Sequence, residues 1–234
     1  MADDDFDLER LAAYLHLDPA QVARLADRGK LPGRRVQGVW RFARAEINQW
    51  LEARIGVSGD EELAQMESIF RRPADPANDN VPSIASLMPL AAIAVPLDAR
   101  TRTSVIQSLM DLSVRTGLLW DPERMAEAVR AREEMYPTAL ENGVALVHPR
   151  RPMPSILGTA FVAFGRTPRG IPFGGKTLTD LFFLIASLDD RGHLHTLARL
   201  SRLIGDANLP AELRAAPDAR SVHELIETAE ARLE

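Results

Sequence analysis

The sequence predicts two domains of unlike build, a small helical module ending in a basic two-stranded wing and a larger α/β or α+β domain. Three observations predict it. Between positions 24 and 44 seven bases (Arg24, Arg28, Lys30, Arg34, Arg35, Arg41, Arg44) face the single acid Asp27, although the 234-residue chain carries a net charge of -5. From Arg72 to Pro82 the apolar period disappears and turn formers take over (Pro73, Asp75-Pro76, Asn78-Asp79-Asn80), which marks a boundary. Beyond it, helical periods are followed by strand-like apolar runs and then by more helix.

Composition narrows the field. The 46% hydrophobic content suffices for one mid-sized core plus a small one. The absence of cysteine excludes a disulfide framework, a thiol nucleophile, Cys-ligated zinc and iron–sulfur clusters. The start, Met1-Ala2-Asp3-Asp4-Asp5, is acidic where a signal peptide is basic, and the apolar run from Leu87 to Leu97 is short and broken by Pro89 and Pro96. No membrane insertion and a cytoplasmic location are expected.

In the N-terminal module, Asp7 can cap a first helix while Phe6 and Leu11 form a hydrophobic staple, with Leu8, Leu11, Ala12 and Leu15 on its buried face. Asp18-Pro19-Ala20-Gln21 opens a second helix with a cap, a proline in the first turn and a capping box. That helix should run to Arg28 and stop at Gly29, which tolerates the left-handed conformation. Arg34 to Phe42 reads as two short strands around Gln37-Gly38. A third helix, with Ile47, Trp50 and Leu51 on one face, would close a small core together with Trp40 and Phe42.

This order of elements, with Arg28-Gly29-Lys30-Leu31-Pro32 and Trp40-Arg41-Phe42, resembles excisionase-type and MerR-type winged helix-turn-helix domains. The resemblance implies a DNA partner, with Gln21, Arg24 and Arg28 near base edges or phosphates and Arg34, Arg35 and Arg41 on phosphates. It also fits a homodimer, since such readers pair on symmetric half-sites. The plainer alternatives are a solvated basic face or a protein-binding module, and the acids at positions 3, 4, 5 and 7 weaken the local field.

Between the domains, Leu63, Met66 and Phe70 give 61–70 a helical period suited to packing on a neighbour or on a second copy. In the second domain, helices are expected over 101–116, ending at Gly117, and over 122–134, opened by Asp121-Pro122. Strands are expected over 144–147, 157–164 and 181–186, and helices again over 191–204 and 219–232. Gly170 to Thr177 satisfies the phosphate-loop pattern G-x-x-x-x-G-K-[ST], but that loop needs a strand directly before it and a helix after it. Here the strand is expected to end near Phe164, Pro172 removes an N–H, and an apolar strand follows. His193 and His195, two apart on a helix, point in different directions and cannot share an ion, so no metal and no cofactor are expected.

The remaining constellation is Arg132-Glu133, Thr138, and Asn142-Gly143-Val144-Ala145-Leu146-Val147-His148, in which a strand delivers a histidine to its end. From about Leu87 onward it resembles the IIA domains of the bacterial phosphoenolpyruvate phosphotransferase system of the fructose, mannitol and nitrogen-regulatory type. Gly170-Ile171-Pro172-Phe173-Gly174 before a strand and His193-Leu194 opening a helix support the resemblance. It implies an α/β IIA-type domain with a mixed sheet flanked by helices. It also implies His148 as phosphoryl acceptor from a phosphocarrier protein, and Arg132, Thr138 and His193 holding the phosphoryl oxygens. The chain departs from the family pattern at Val147, Pro149 and Tyr136-Pro137.

The expected organisation is a winged helix-turn-helix at 6–55, a short helix and linker at 56–83, and a IIA-type domain at 84–234. The expected function is a cytoplasmic regulator coupling histidine phosphorylation to DNA binding. Two alternatives stand beside it: a IIA phosphocarrier in a sugar-transport relay, and a DNA-binding or scaffold protein with a silent IIA-like fold.

Overall fold

The computed structural model describes residues 5–55, 59–71 and 82–233. The linker expected from Arg72 onward falls almost wholly outside them.

Helix α1 (Leu8–Leu15) is capped by Asp7, whose carboxylate accepts from the Arg10 amide at 2.8 Å. Helix α2 (Pro19–Asp27) starts in a capping box in which Gln21 Oε1 accepts from the Asp18 amide at 3.1 Å. A hairpin follows. Strand β2 (Arg34–Val36) pairs with β3 (Val39–Ala43) across Gln37 and Gly38, whose positive φ values of 52° and 83° match the twist of a two-residue hairpin turn. The sequence reading missed β1 (Asp5–Phe6), which adds to the other edge of β3 with Phe6 opposite Phe42.

Helix α3 (Arg44–Ile55) closes the module with Ile47 and Leu51 buried. Trp40 and Trp50 are half-buried and pack against this core. Their faces carry the Arg35 and Arg54 guanidinium groups, at 5.0 and 4.9 Å from the ring centroids, a use of the ring that keeps one side toward water.

Helix α4 (Asp60–Arg71) buries Leu63, Met66 and Phe70. After the short α5 (Ile84–Leu87) and β4 (Ile93–Ala94) come α6 (Arg102–Val114), α7 (Pro122–Met135) and β5 (Val144–Val147). The long strands β6 (Phe161–Pro172) and β7 (Leu178–Ala186) are followed by α8 (Asp190–Gly205), α9 (Leu209–Ala215) and α10 (Ala219–Ala231). The sheet order is β4-β6-β7-β5, with β6 antiparallel to β7 and the two outer strands parallel to their neighbours.

Strand β6 corrects the sequence reading at both ends. Leu157 makes only an isolated bridge to Leu119, and the strand begins at Phe161. It then continues past Arg166-Thr167-Pro168-Arg169, because an irregularity between Arg166 and Ile171 lets the proline sit outside the ladder. Gly170 to Thr177 is therefore the end of β6 and the turn into β7, not a strand-to-helix phosphate loop.

Alternate residues of the sheet face two helical layers. Leu146, Phe164 and Phe183 point toward Leu194, Leu197 and Ile226 of α8 and α10. Val147, Phe161 and Leu184 belong with Leu109, Met125 and Val129 of α6 and α7. The first layer extends outward: α3 and α4 both pack on α8, and the core of the N-terminal module is continuous with that sheet face. This packing carries a helix of the small module to the end of β5.

Candidate functional site

Four buried residues of β5 lead directly to His148, itself 2% exposed. Its Nδ1 lies 2.7 Å from the Leu146 carbonyl oxygen. A carbonyl only accepts, so Nδ1 carries a proton; in the neutral ring Nε2 then holds the lone pair, and it donates to Glu52 only when a second proton sits there. His193 enters from the first turn of α8, where Asp189 caps the helix by accepting from the Gly192 amide at 2.8 Å. The two imidazole centroids are 4.9 Å apart.

A residue of the other module completes the cluster. Glu52, on α3, places Oε2 3.4 Å from His148 Nε2 and Oε1 3.7 Å from His193 Nε2. Arg132, at the end of α7, holds the Tyr136 carbonyl at 2.6 Å with one guanidinium nitrogen and approaches Glu52 Oε2 at 3.3 Å with the other. His193 Nδ1 lies 3.4 Å from the Ser187 hydroxyl, whereas its buried Nε2 has no hydrogen-bond partner.

Burial would raise the Glu52 carboxyl, but the His148 hydrogen bond and the charges of His148, His193 and Arg132 hold it below the usual carboxylate range. His193 is pushed down to about 3, by burial first and then by His148, with Glu52 opposing and Arg132 adding to the effect. Its ring is neutral at physiological pH. A cavity of about 730 Å³ opens between the modules and is lined by Glu52, Arg132, Thr138 and His148, with Trp50 and Leu197 supplying apolar wall.

Of the four residues singled out in this domain, His148, His193 and Arg132 meet around Glu52. Thr138 lines the same cavity, but its hydroxyl and amide both donate to the buried Glu133 carboxylate. His195 is on α8 two residues beyond His193 and outside the cluster. Glu52 was missed. The signal available for it is the pair Asn48 and Glu52, four apart on α3, polar yet buried beside the Ile47 and Leu51 stripe.

In the small module, Arg24, Arg28, Arg34 and Arg35 are exposed and Arg41 is half-buried. Two wing arginines have acidic partners, Arg34 with Asp5 at 2.7 Å and Arg35 with Asp27 at 2.9 Å. The Gln21 side chain is engaged in its helix cap.

The mixed four-stranded sheet between helical layers, preceded by a helix-turn-helix, defines the class: an α/β IIA-type domain with a helix-turn-helix module in front. Residues 86–229 match the family described as phosphoenolpyruvate-dependent sugar phosphotransferase system, EIIA 2, and the chain belongs to that family. Residues 6–55 match the helix-turn-helix domain family. Among its relatives, a nitrogen regulatory protein of Bradyrhizobium diazoefficiens is 32% identical over 149 residues, covering 59% of this chain and 95% of the relative. The fructose-specific EIIA component of Haloferax volcanii is 26% identical over 151 residues, 63% of this chain and 96% of its own. The fold is shared with the nitrogen regulatory protein IIA-Ntr of Neisseria meningitidis, at a TM-score of 0.54 and 23% identity over 61% of this chain and 98% of that one. No described helix is long and apolar enough to cross a membrane.

Proposed function

We propose that this chain is a phosphorylation-linked regulator. His148 accepts a phosphoryl group from a phosphocarrier protein, and the charge gained there releases the helix-turn-helix module and changes its binding to DNA. Residues 6–55 are the reader and 84–234 the sensor. The observation that carries this reading is the Glu52 carboxylate, delivered by α3 of the reader to within 3.4 Å of the nucleophilic nitrogen of the sensor.

In the transfer, the lone pair of His148 Nε2 forms the new N–P bond as the N–P bond of the donor phosphohistidine breaks. The Nδ1 proton stays on His148, donated to the Leu146 carbonyl, and the donor imidazole departs neutral with its own remaining N–H. Arg132 receives the phosphoryl oxygens as a charged donor. His193 donates from Nε2 in the tautomer whose Nδ1 accepts from the Ser187 hydroxyl. Thr138 joins them only by giving up Glu133.

A phosphoryl group on Nε2 and the Glu52 carboxylate require the same space and carry the same sign. At an effective dielectric near 20, each pair of unit charges about 4 Å apart repels by about 4 kcal/mol. That is enough to bias a docked interface. Conversely, a His148 that is 2% exposed meets its donor only when α3 swings away.

The test is intact-mass analysis after incubation with phosphoenolpyruvate, enzyme I and the phosphocarrier protein at alkaline pH, followed by DNA-binding anisotropy. Wild type should gain one phosphoryl group and His148→Ala none. Glu52→Gln should be phosphorylated at least about tenfold faster, the equivalent of about 1.4 kcal/mol of barrier. DNA affinity should shift on phosphorylation. No phosphorylation of either wild type or Glu52→Gln overturns the reading, and phosphorylation with onward transfer but unchanged DNA binding makes the chain a relay carrier instead.

A further inference from the structure

The convergence of Glu52, His148 and His193 poses a problem that phosphoryl chemistry does not solve. Two imidazole nitrogens and a carboxylate are buried with their acceptor atoms within 4.8 Å of one another. In the tautomers with both Nε2 atoms unprotonated, the carboxylate faces two lone pairs, a repulsive arrangement that a cation between them relieves. A proton on His148 Nε2 satisfies one contact and leaves His193 Nε2 buried and unpaired. Arg132 contacts the Glu52 carboxylate and the Tyr136 carbonyl.

We propose that Glu52, His148 and His193 form a three-ligand site for a divalent transition cation of the zinc type, which clasps the helix-turn-helix module onto the IIA-type domain. The separations, 3.4 Å from His148 Nε2 to Glu52 Oε2 and 3.7 Å from His193 Nε2 to Glu52 Oε1, lie near the edge of about 3.3–3.6 Å of a tetrahedron whose metal bonds are about 2.0–2.2 Å; one carboxylate oxygen and the two ring nitrogens lie within 4.8 Å of one another, so the three draw together on binding an ion. Two imidazoles and one carboxylate suit zinc and its neighbours rather than magnesium or calcium, which prefer all-oxygen shells.

The surroundings fit as well. The Nδ1 proton of His148 is held by the Leu146 carbonyl at 2.7 Å, the outer hydrogen bond that fixes a ligating histidine in the tautomer with Nε2 free. His193 obtains the same from the Ser187 hydroxyl at 3.4 Å by donating from Nδ1, the opposite tautomer to the one that would hold a phosphoryl oxygen. Arg132 sits outside the carboxylate as an orienting partner, at some cost in affinity from its charge. Three protein ligands leave one position for water.

The expectation of no metal rests on the absence of cysteine and on the two-residue spacing of His193 and His195. The partners of His193 come instead from the end of β5 and from the other module. Under the phosphorylation reading, on which this clause alone rests, cation and phosphoryl group compete for His148 Nε2.

The experiment is calorimetric titration of the chelator-stripped full chain with zinc chloride, paired with cobalt(II) and its visible absorption as a geometric probe. Wild type should bind one equivalent and give the intense bands of tetrahedral cobalt. Glu52→Gln and His193→Gln should each lose at least about 100-fold in affinity, whereas His16→Asn, at an exposed turn, should bind like wild type. Circular dichroism confirms that each variant is folded. Unchanged affinity in both ligand variants overturns the proposal, because the ion then sits on other groups. No binding by wild type that is still phosphorylated on His148 overturns it too and leaves the regulator reading intact. One equivalent bound at these ligands by a chain that no donor phosphorylates supports the site and defeats the regulator reading.

Discussion

Glu52 and His193 make the site sensitive to acid through two separate windows. Glu52, held below the usual carboxylate range in the fold, contributes stability that is present above its unfolded value of about 4.3 and is lost as pH falls through its folded value. His193, pushed down to about 3, refuses a proton that an unfolded histidine binds near pH 6.5. The unfolded chain therefore binds more protons between those values, and stability falls as pH drops from about 6.5 toward 3. At about 1.4 kcal/mol per unit, His193 alone costs about 2 kcal/mol between pH 6.5 and 5. Urea unfolding at the two pH values measures it, and His193→Gln should remove most of the difference. A variant with the wild-type slope assigns the acid loss to another group.

The same residues mark how far the site was legible. His148 has a local cue, a strand that ends on a histidine, whereas the roles of His193 and Arg132 come only from the resemblance to IIA domains. Glu52 has neither, because its role exists only once α3 has packed against α8, a relation between modules that no local period encodes. Thr138 is implied by the same resemblance as a phosphoryl-oxygen contact, but its engagement with Glu133 is not legible, since that depends on rotamers in the loop after α7.

Among the secondary-structure elements, end signals carried most of the information. Asp7, Asp18 and Asp121 cap the helices they were expected to open, and Gln37-Gly38 makes the turn between β2 and β3. The strands β1 and β4, two residues each, exist through pairing alone and have no period of their own to read. Proline and glycine concealed the second half of β6, because a bulge admits both without ending the strand.

Helix α4 shows how an element of marginal length is held. Glu67 accepts from Arg199 at 2.6 Å and from Arg202 at 2.7 Å, both on α8. Glu230 of α10 contacts Arg199 at 3.2 Å and takes the Ile84 and Ala85 amides at the start of α5, each at 2.8 Å. This buried network ties three helices to α8. Breaking a buried pair by removing one partner costs about 3–5 kcal/mol, and because Arg199 retains Glu230, Glu67→Gln should cost about 2–3 kcal/mol. Urea unfolding gives the value, and protease sensitivity near α4 should rise. A loss below about 0.5 kcal/mol would show the network to be solvated.

At the scale of the whole molecule, a chain of net charge -5 sets seven bases against one acid between positions 24 and 44 of its small module, and DNA binding by that module is predicted to be dominated by phosphate contacts. The logarithm of affinity should then fall linearly with the logarithm of salt concentration, with a slope of about -0.9 per phosphate neutralised. Arg24→Ala and Arg28→Ala, which remove exposed cations of α2, should each flatten the slope by about 0.9. Arg34 and Arg35 start from a different position, because Asp5 and Asp27 already hold them at 2.7 and 2.9 Å. A phosphate must displace those carboxylates, so Asp27→Asn should raise affinity at every salt concentration while leaving the slope unchanged. Anisotropy titrations of a labelled duplex at several salt concentrations read all four effects. A salt-independent affinity, or an Asp27→Asn variant that binds more weakly than wild type, would show that the wing does not face the phosphates.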